Sequence, residues 1–294
     1  MIETPSGKQA ADENFPVGSV LIAARLRPHV AAFYAFARAA DDIADNPSLA
    51  PEDKVRRLDL FDAALTGDRE AAEVAPKAAR LAASCAETGV PVRHGRDLLS
   101  AFRQDATKTR YTDWAELRDY CARSASPVGR FLVDLHGEPR AAWPASDALC
   151  DALQVLNHLQ DCAADHAAMD RVYLPLDWLE AHGTGVEALR ADHASPGLRA
   201  VLDACLDETD RLIAEARALA PRLGDRRFAM EAATIVALAG RLAARLRRED
   251  PIAGRVALSK LDFLRCGVAG VVSGLLGPRR RPAAPPADRA EAAE

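Results

Sequence analysis

The chain has 294 residues, 49% apolar and 28% charged, which excludes a disordered polypeptide and leaves room for one large core or two small ones. A net charge of −5 with a pI near 5.9 gives no global basic signal, so nucleic acid is not an expected partner. Six cysteines (85, 121, 150, 162, 205, 266) form no Cys-x-x-Cys pair, and the N-terminus carries no apolar run of the secretory kind. Reduced, packed thiols in a cytoplasmic protein are expected. No stretch reaches the roughly 18–20 uninterrupted apolar residues of a membrane span.

The first 27 residues, with Pro16 and Gly18, read as an irregular lead-in. Pro28 opens a long helix at a position where its missing N–H costs nothing, and Asn46-Pro47 ends it just after Asp45. Pro51 and Gly67 bound an amphipathic helix with Val55, Leu58, Phe61, Ala64 and Leu65 on one side. An Ala-rich helix runs to about Thr88 before Gly89, and another covers roughly 94–108. Asp113 and Glu116 have the spacing of a capping box for a fifth helix. That helix carries Tyr120, Arg123 and Ser124, meets Pro127 and continues to Gly137. The proline either kinks it for structural reasons or opens space for a ligand. A sixth helix spans about 145–168, followed by Asp170-Arg-Val-Tyr-Leu-Pro175, a short helical turn and a Gly-bearing loop. Helices follow near 197–219, 226–249 and 259–276. Period-two alternation is almost absent, and there is no repeat and no linker before residue 278. About nine helices around one core, an all-α domain over 1–277, is the expected architecture. Residues 278–294, rich in Pro, Ala and Arg, are expected to form a disordered tail.

Two acidic stretches organise the rest. Tyr34, Arg38, Asp41 and Asp45 fall at i, i+4, i+7 and i+11; Gln154, Asn157, Asp161 and Asp165 fall at i, i+3, i+7 and i+11. Each set is one ridge of a helix ending in a carboxylate pair. Such a stripe is commonly a solvated face. From Val30 to Ala40, however, Arg38 is the only charge, and a helix apolar on nearly every side is buried with its stripe pointing inward. Inward carboxylates in like-charged pairs require cations. All-oxygen ligands suit Mg²⁺, which takes few carboxylates and completes its shell with water and phosphate oxygens. The expectation is a Mg²⁺-diphosphate clamp between two facing ridges.

Other motifs are weak. Gly183-Thr-Gly-Val-Glu-Ala188 fits a loose dinucleotide fingerprint, but no strand precedes it. The seven histidines do not cluster at ligand spacing, and His158 and His166 read as surface or supporting residues. The last helix, from Phe263, is apolar and followed by Arg279, Arg280 and Arg281. It fits a core helix or one resting peripherally on a membrane surface.

Tyr34-Ala-Phe-Ala-Arg-Ala-Ala-Asp-Asp-Ile-Ala-Asp45, taken with Gln154-Val-Leu-Asn-His-Leu-Gln-Asp-Cys-Ala-Ala-Asp165 and Asp170 to Pro175, resembles the squalene and phytoene synthases over roughly residues 12–276. Asp12 to Ser19 and the form of the second motif look most like the bacterial hydroxysqualene synthase branch. The resemblance implies an all-α isoprenoid synthase fold around a central apolar cavity, Mg²⁺ as cofactor and presqualene diphosphate as substrate. It implies that Asp41 and Asp45 hold metal from one wall, and Asn157, Asp161 and Asp165 from the other. Arg38 and Arg171, with Tyr34 and Gln154, would bind the diphosphate, and Tyr120 would stand near the reacting carbons. Asp41, Asp161 and Tyr120 are the residues expected to be indispensable for catalysis. Lys8 and Asn14 are further candidate contacts. Gln160 stands where related chains often have arginine, which fits a different division of labour. Phe33, Phe36 and Tyr120 could face a carbocation, although each also suits a core. Three functions are thus open: hydroxysqualene formation, condensation of two prenyl diphosphates, and a non-catalytic helical assembly role.

Overall fold

The computed structural model describes residues 2–3 and 21–276, with side chains to residue 273. The stretch Asp12 to Ser19, Lys8, Asn14 and the tail therefore lie outside the described residues. Among those described there are twelve α-helices, three short 3-10 helices and no strand.

Helix α1 (Arg27–Ala44) has proline in its first turn and ends at Asp45, and it buries Val30, Ala32, Phe33, Phe36, Ala39 and Ala40. α2 is Pro51–Leu65. The expected Ala-rich helix is two helices, α3 (Arg69–Val74) and α4 (Pro76–Thr88). Asp68 caps the first through Ala71 N at 2.8 Å, and Pro76 can only begin the second. Gly89, at φ 72°, closes α4 in a conformation that L side chains rarely adopt.

α5 is Arg93–Asp105, α6 Trp114–Ser124 and α7 Ser126–Leu135. The fifth expected helix is thus broken at Ala125, two residues before Pro127, rather than continuous with a kink. Asp113 caps α6 through Glu116 N at 2.8 Å, while the Glu116 carboxylate turns to Thr112 N at 2.6 Å. Only half of the expected capping box forms.

α8 (Trp143–Met169) is the long central helix, stopped by Asp170 at φ 50°. α9 (Leu176–Ala181), α10 (Pro196–Ala216), α11 (Arg226–Leu246) and α12 (Lys260–Leu276) follow. The Gly183–Ala188 segment is a loop entering a 3-10 turn, with no strand before it.

Two buried clusters hold these helices. One gathers α1, α2, α4 and α5 around Phe36, Phe61, Leu58 and Leu98, with Phe131 of α7. The other gathers α6, α8, α10 and α11 around Tyr111, Leu156, Leu202 and Leu242. Each fully buried leucine or phenylalanine contributes about 1.5–3 kcal/mol. Glycines on α7 and α12 mark close approaches between helices. A Cβ on Gly129 of α7 would lie 2.3 Å from Ser146 Oγ and 2.7 Å from Cys150 Sγ of α8. A Cβ on Gly270 of α12 would lie 2.7 Å from the Thr234 backbone nitrogen of α11. All six cysteines are free thiols, and all but Cys150 are buried. Among the described residues no helix is long and apolar enough to cross a membrane.

Candidate active site

α1 delivers Arg38, Asp41 and Asp42 through the spacing of one turn. Arg38 donates to Asp42 Oδ1 at 2.6 Å and pairs with Asp41 Oδ2 at 3.0 Å. Asp42 is buried, whereas Asp41 stands at the cavity with its side chain 33% exposed. Desolvation, then the neighbouring Asp45, pushes the Asp41 carboxyl up to about 8 against the pull of Arg38.

Behind this pair lies Arg171, in the segment after α8. It donates to Asp45 Oδ1 at 2.9 Å, to the Asp105 carbonyl oxygen at 3.1 Å and to the Tyr173 hydroxyl at 3.4 Å. Asp105, at the end of α5, accepts from the Tyr120 hydroxyl at 2.9 Å through Oδ2, while its buried Oδ1 has no hydrogen-bond partner. Burial lifts Asp105 to about 7, against Arg171 and the Tyr120 hydrogen bond. Tyr120, Tyr111, Tyr173 and His158 form an aromatic stack around it, His158 lying 3.5 Å from Tyr173 ring to ring. Burial pulls His158 down to about 3, aided by Arg171, so its imidazole is neutral.

Between α1, α5, α7, α8 and α11 lies a cavity of about 390 Å³. Tyr34, Arg38 and Asp41 line it from α1, and Gln154 and Asn157 from α8. Phe33, Phe131, Leu149, Leu153 and Phe228 supply much of the apolar wall, with Glu231 of α11 among them. The inward stripe expected for α1 lines the cavity through Asp41, where it meets the beginning of the α8 stripe, while Asp45 lies outside the lining against Arg171.

The remaining residues singled out in the sequence take other positions. Asp161 is 32% exposed and accepts from Arg255 Nε at 2.7 Å. Asp165 is half-buried one turn further along α8. Gln160 is buried and donates to the Val256 carbonyl oxygen at 2.5 Å, so it ties α8 to the segment before α12. Tyr120 is 3% exposed and sits behind the acidic wall, outside the cavity lining. Phe33 lines the cavity, stacked on Phe131 at 4.1 Å, but Phe36 is wholly buried against Phe61. His158 and His166 are buried rather than on the surface.

Sequence reasoning missed Asp105, Lys54 and Arg255. Asp105 continues the apolar line of Leu98 and Phe102 on α5, a carboxylate on a buried stripe, and that was its available signal. Lys54 of α2 is close enough for Asp45 and Asp105 to act on its charge. Arg255 follows α11 in an irregular segment, where periodicity gives no signal.

Among the described residues no three His, Cys, Asp or Glu groups converge as a ready-made metal site. The donor chemistry nevertheless fits a hard divalent cation. The negative charge of Asp45 acts on Asp41, which resists ionisation without added positive charge, and Mg²⁺ needs only one or two carboxylates beside water and phosphate oxygens.

A family model described as squalene/phytoene synthase matches residues 8–262. The hydroxysqualene synthase of Rhodopseudomonas palustris is 46% identical over 262 residues, covering 89% of each chain. That of Sinorhizobium fredii is 43% identical with the same coverage. Among solved structures, squalene synthase HpnC from Alicyclobacillus acidocaldarius superimposes with a TM-score of 0.69 at 31% identity, over 79% of this chain and 87% of that one. The helices thus adopt the all-α isoprenoid synthase fold. With the sequence matched from residue 8 to residue 262, the chain belongs to the squalene/phytoene synthase family.

Proposed function

We propose that the chain is a hydroxysqualene synthase, converting presqualene diphosphate and water to hydroxysqualene and diphosphate. The observation that carries this reading is a cavity with cationic and acidic groups at Arg38 and Asp41, amides at Gln154 and Asn157, and a mainly apolar remaining wall. An anionic head and a long hydrocarbon need these two environments side by side. The relatives of 43–46% identity, each named hydroxysqualene synthase, support this chemistry over condensation.

Breaking the cyclopropylcarbinyl C–O bond leaves a carbocation and a diphosphate. Arg38 meets the anion electrostatically, and Arg171 holds Asp45 and the Asp105 backbone in place behind it. Asp41 and Asp45, with Asn157, Asp161 and Asp165 from α8, would hold Mg²⁺. When bound, it supplies positive charge to the departing diphosphate. Phe33, Phe131 and Phe228 present hydrocarbon and aromatic faces that exclude bulk water while the cation rearranges. Tyr120 acts through Asp105, whose carboxyl it orients. The test incubates purified protein and Mg²⁺ with presqualene diphosphate or farnesyl diphosphate, with and without NADPH. Hydroxysqualene from presqualene diphosphate, independent of NADPH, is expected. Consumption of farnesyl diphosphate with presqualene diphosphate untouched would favour the condensing enzymes instead.

The same reading includes peripheral contact of α12 with lipid. Leu261, Leu264, Val268 and Val272 are 46–64% exposed at i, i+3, i+7 and i+11, on the side away from Gly270. Lys260 and Arg265 are exposed on the same helix, and Arg279, Arg280 and Arg281 follow it in sequence. Sedimentation with vesicles rich in anionic lipid should exceed that with neutral vesicles and fall for Leu264→Glu/Val268→Glu. Equal sedimentation of both proteins removes this contact.

A further inference from the structure

Resting on hydroxysqualene formation, one carboxylate remains without a part in binding the diphosphate. Glu231 is 7% exposed, and it lines the cavity from the second turn of α11. Phe228, Ala232 and Ile235, at i−3, i+1 and i+4, line the cavity beside it, so it occupies a position that the helix otherwise fills with hydrocarbon. Among the described lining residues the other carboxylate is Asp41, at the polar end of the cavity beside Arg38. A carboxylate on a mainly apolar cavity wall is costly to bury, and this one is placed where its oxygens can meet a water inside the cavity.

Hydration creates a need that such a group meets. The C–O bond to diphosphate breaks with its electron pair on the departing oxygen. After rearrangement, a water oxygen donates a lone pair to the cationic carbon and becomes an oxonium, which must lose a proton to give the alcohol. We propose that Glu231 is the general base of this step: it accepts a hydrogen bond from the attacking water, takes its proton as the carbon–oxygen bond forms, and later releases it to solvent. No oxidant or reductant enters. A carboxylate held in the cavity has high effective concentration and also orders the water toward the cation. It thereby favours capture by oxygen over loss of a proton from an adjacent carbon, which would give a hydrocarbon polyene.

The test measures hydroxysqualene formed per diphosphate released from presqualene diphosphate, a ratio that does not depend on how much of a variant is folded. For Glu231→Gln, of nearly the same shape, we expect at least a tenfold fall in that ratio, with hydrocarbon products making up the difference and diphosphate release continuing. Glu231→Asp, which keeps the carboxylate, should restore most of the alcohol. A wild-type ratio in Glu231→Gln overturns the proposal and leaves the departing diphosphate as the proton acceptor. An equal loss of alcohol in the Gln and Asp variants also overturns it, because shape rather than basicity would then decide. If the wild-type protein releases no diphosphate from presqualene diphosphate, the proposed function itself fails, an outcome separate from both.

Discussion

Arg171→Met keeps an unbranched apolar stem but ends short of the guanidinium, removing its charge and every hydrogen bond that it donates. Arg171 is 6% exposed and holds Asp45, the Asp105 carbonyl and the Tyr173 hydroxyl. Removing one partner of a buried ion pair costs about 3–5 kcal/mol, because the other charge is left unpaired. Asp45 is 35% exposed, so solvent screens its share, and we expect a loss of about 3 kcal/mol at pH 7. Asp105 makes the loss depend on pH. Its carboxyl is raised from 3.8 to about 7, an ionisation penalty of about 4 kcal/mol in the folded state. A group raised in this way contributes stability that is complete below pH 3.8 and disappears as pH rises through about 7. Without Arg171 the carboxyl rises further, so the variant should lose stability more steeply than wild type between pH 6 and pH 8. Urea denaturation at several pH values measures this, and the double variant Arg171→Met/Asp105→Asn should recover at least half of the loss. A single-variant loss below about 0.5 kcal/mol, typical of exposed pairs, would refute the description of Arg171 as a buried clamp.

Asp41→Asn should abolish diphosphate release yet stabilise the metal-free protein at pH 8, since the raised Asp41 carboxyl loses its stabilising contribution as pH approaches about 8. Thermal unfolding with and without Mg²⁺ checks this, and the metal should raise the wild-type midpoint more than that of the variant. Gly270→Val drives a Cβ into the Thr234 backbone and should cost about 1–3 kcal/mol, read as an earlier unfolding transition. His94 is buried against Asp134 at 3.0 Å, and desolvation lowers its pKa. Its contribution is therefore complete above about 6.5 and is lost as pH falls below that value. Replacing it with Gln should flatten the urea midpoint between pH 7 and pH 5, and an unchanged slope would remove this account.

The inward turn of α1 was legible because Arg38 is the only charge among ten apolar neighbours, a pattern that leaves a helix no solvated side. Proline positions gave the starts of α1 and α2, but Pro76 was absorbed into an Ala-rich run whose composition alone favours one continuous helix. The break at Ala125 was half visible: Pro127 announced an interruption, and only packing against α8 decides between a bend and two helices. On α8 the spacing gave a ridge but could not say where the cavity ends along it. Gln154 and Asn157 line the hollow, whereas Asp161 turns to Arg255, a partner 94 residues away in an aperiodic segment. Asp105 and Glu231 escaped for a shared reason. Each is an isolated acid on an otherwise apolar stripe, and a single residue of that kind lacks the repeated spacing that made the aspartate pairs stand out.

The approach of α7 to α8 at Gly129 bears on how this protein can be redesigned. Only the Ser146 and Cys150 side chains stand between the two walls there, so even one methyl group on Gly129 would press on both and act like a wedge in a caliper. Efforts to accept longer or shorter hydrocarbon chains should leave the pivot alone and trim or bulk Leu149 and Leu153. There the internal gauge can change while the frame holds its alignment.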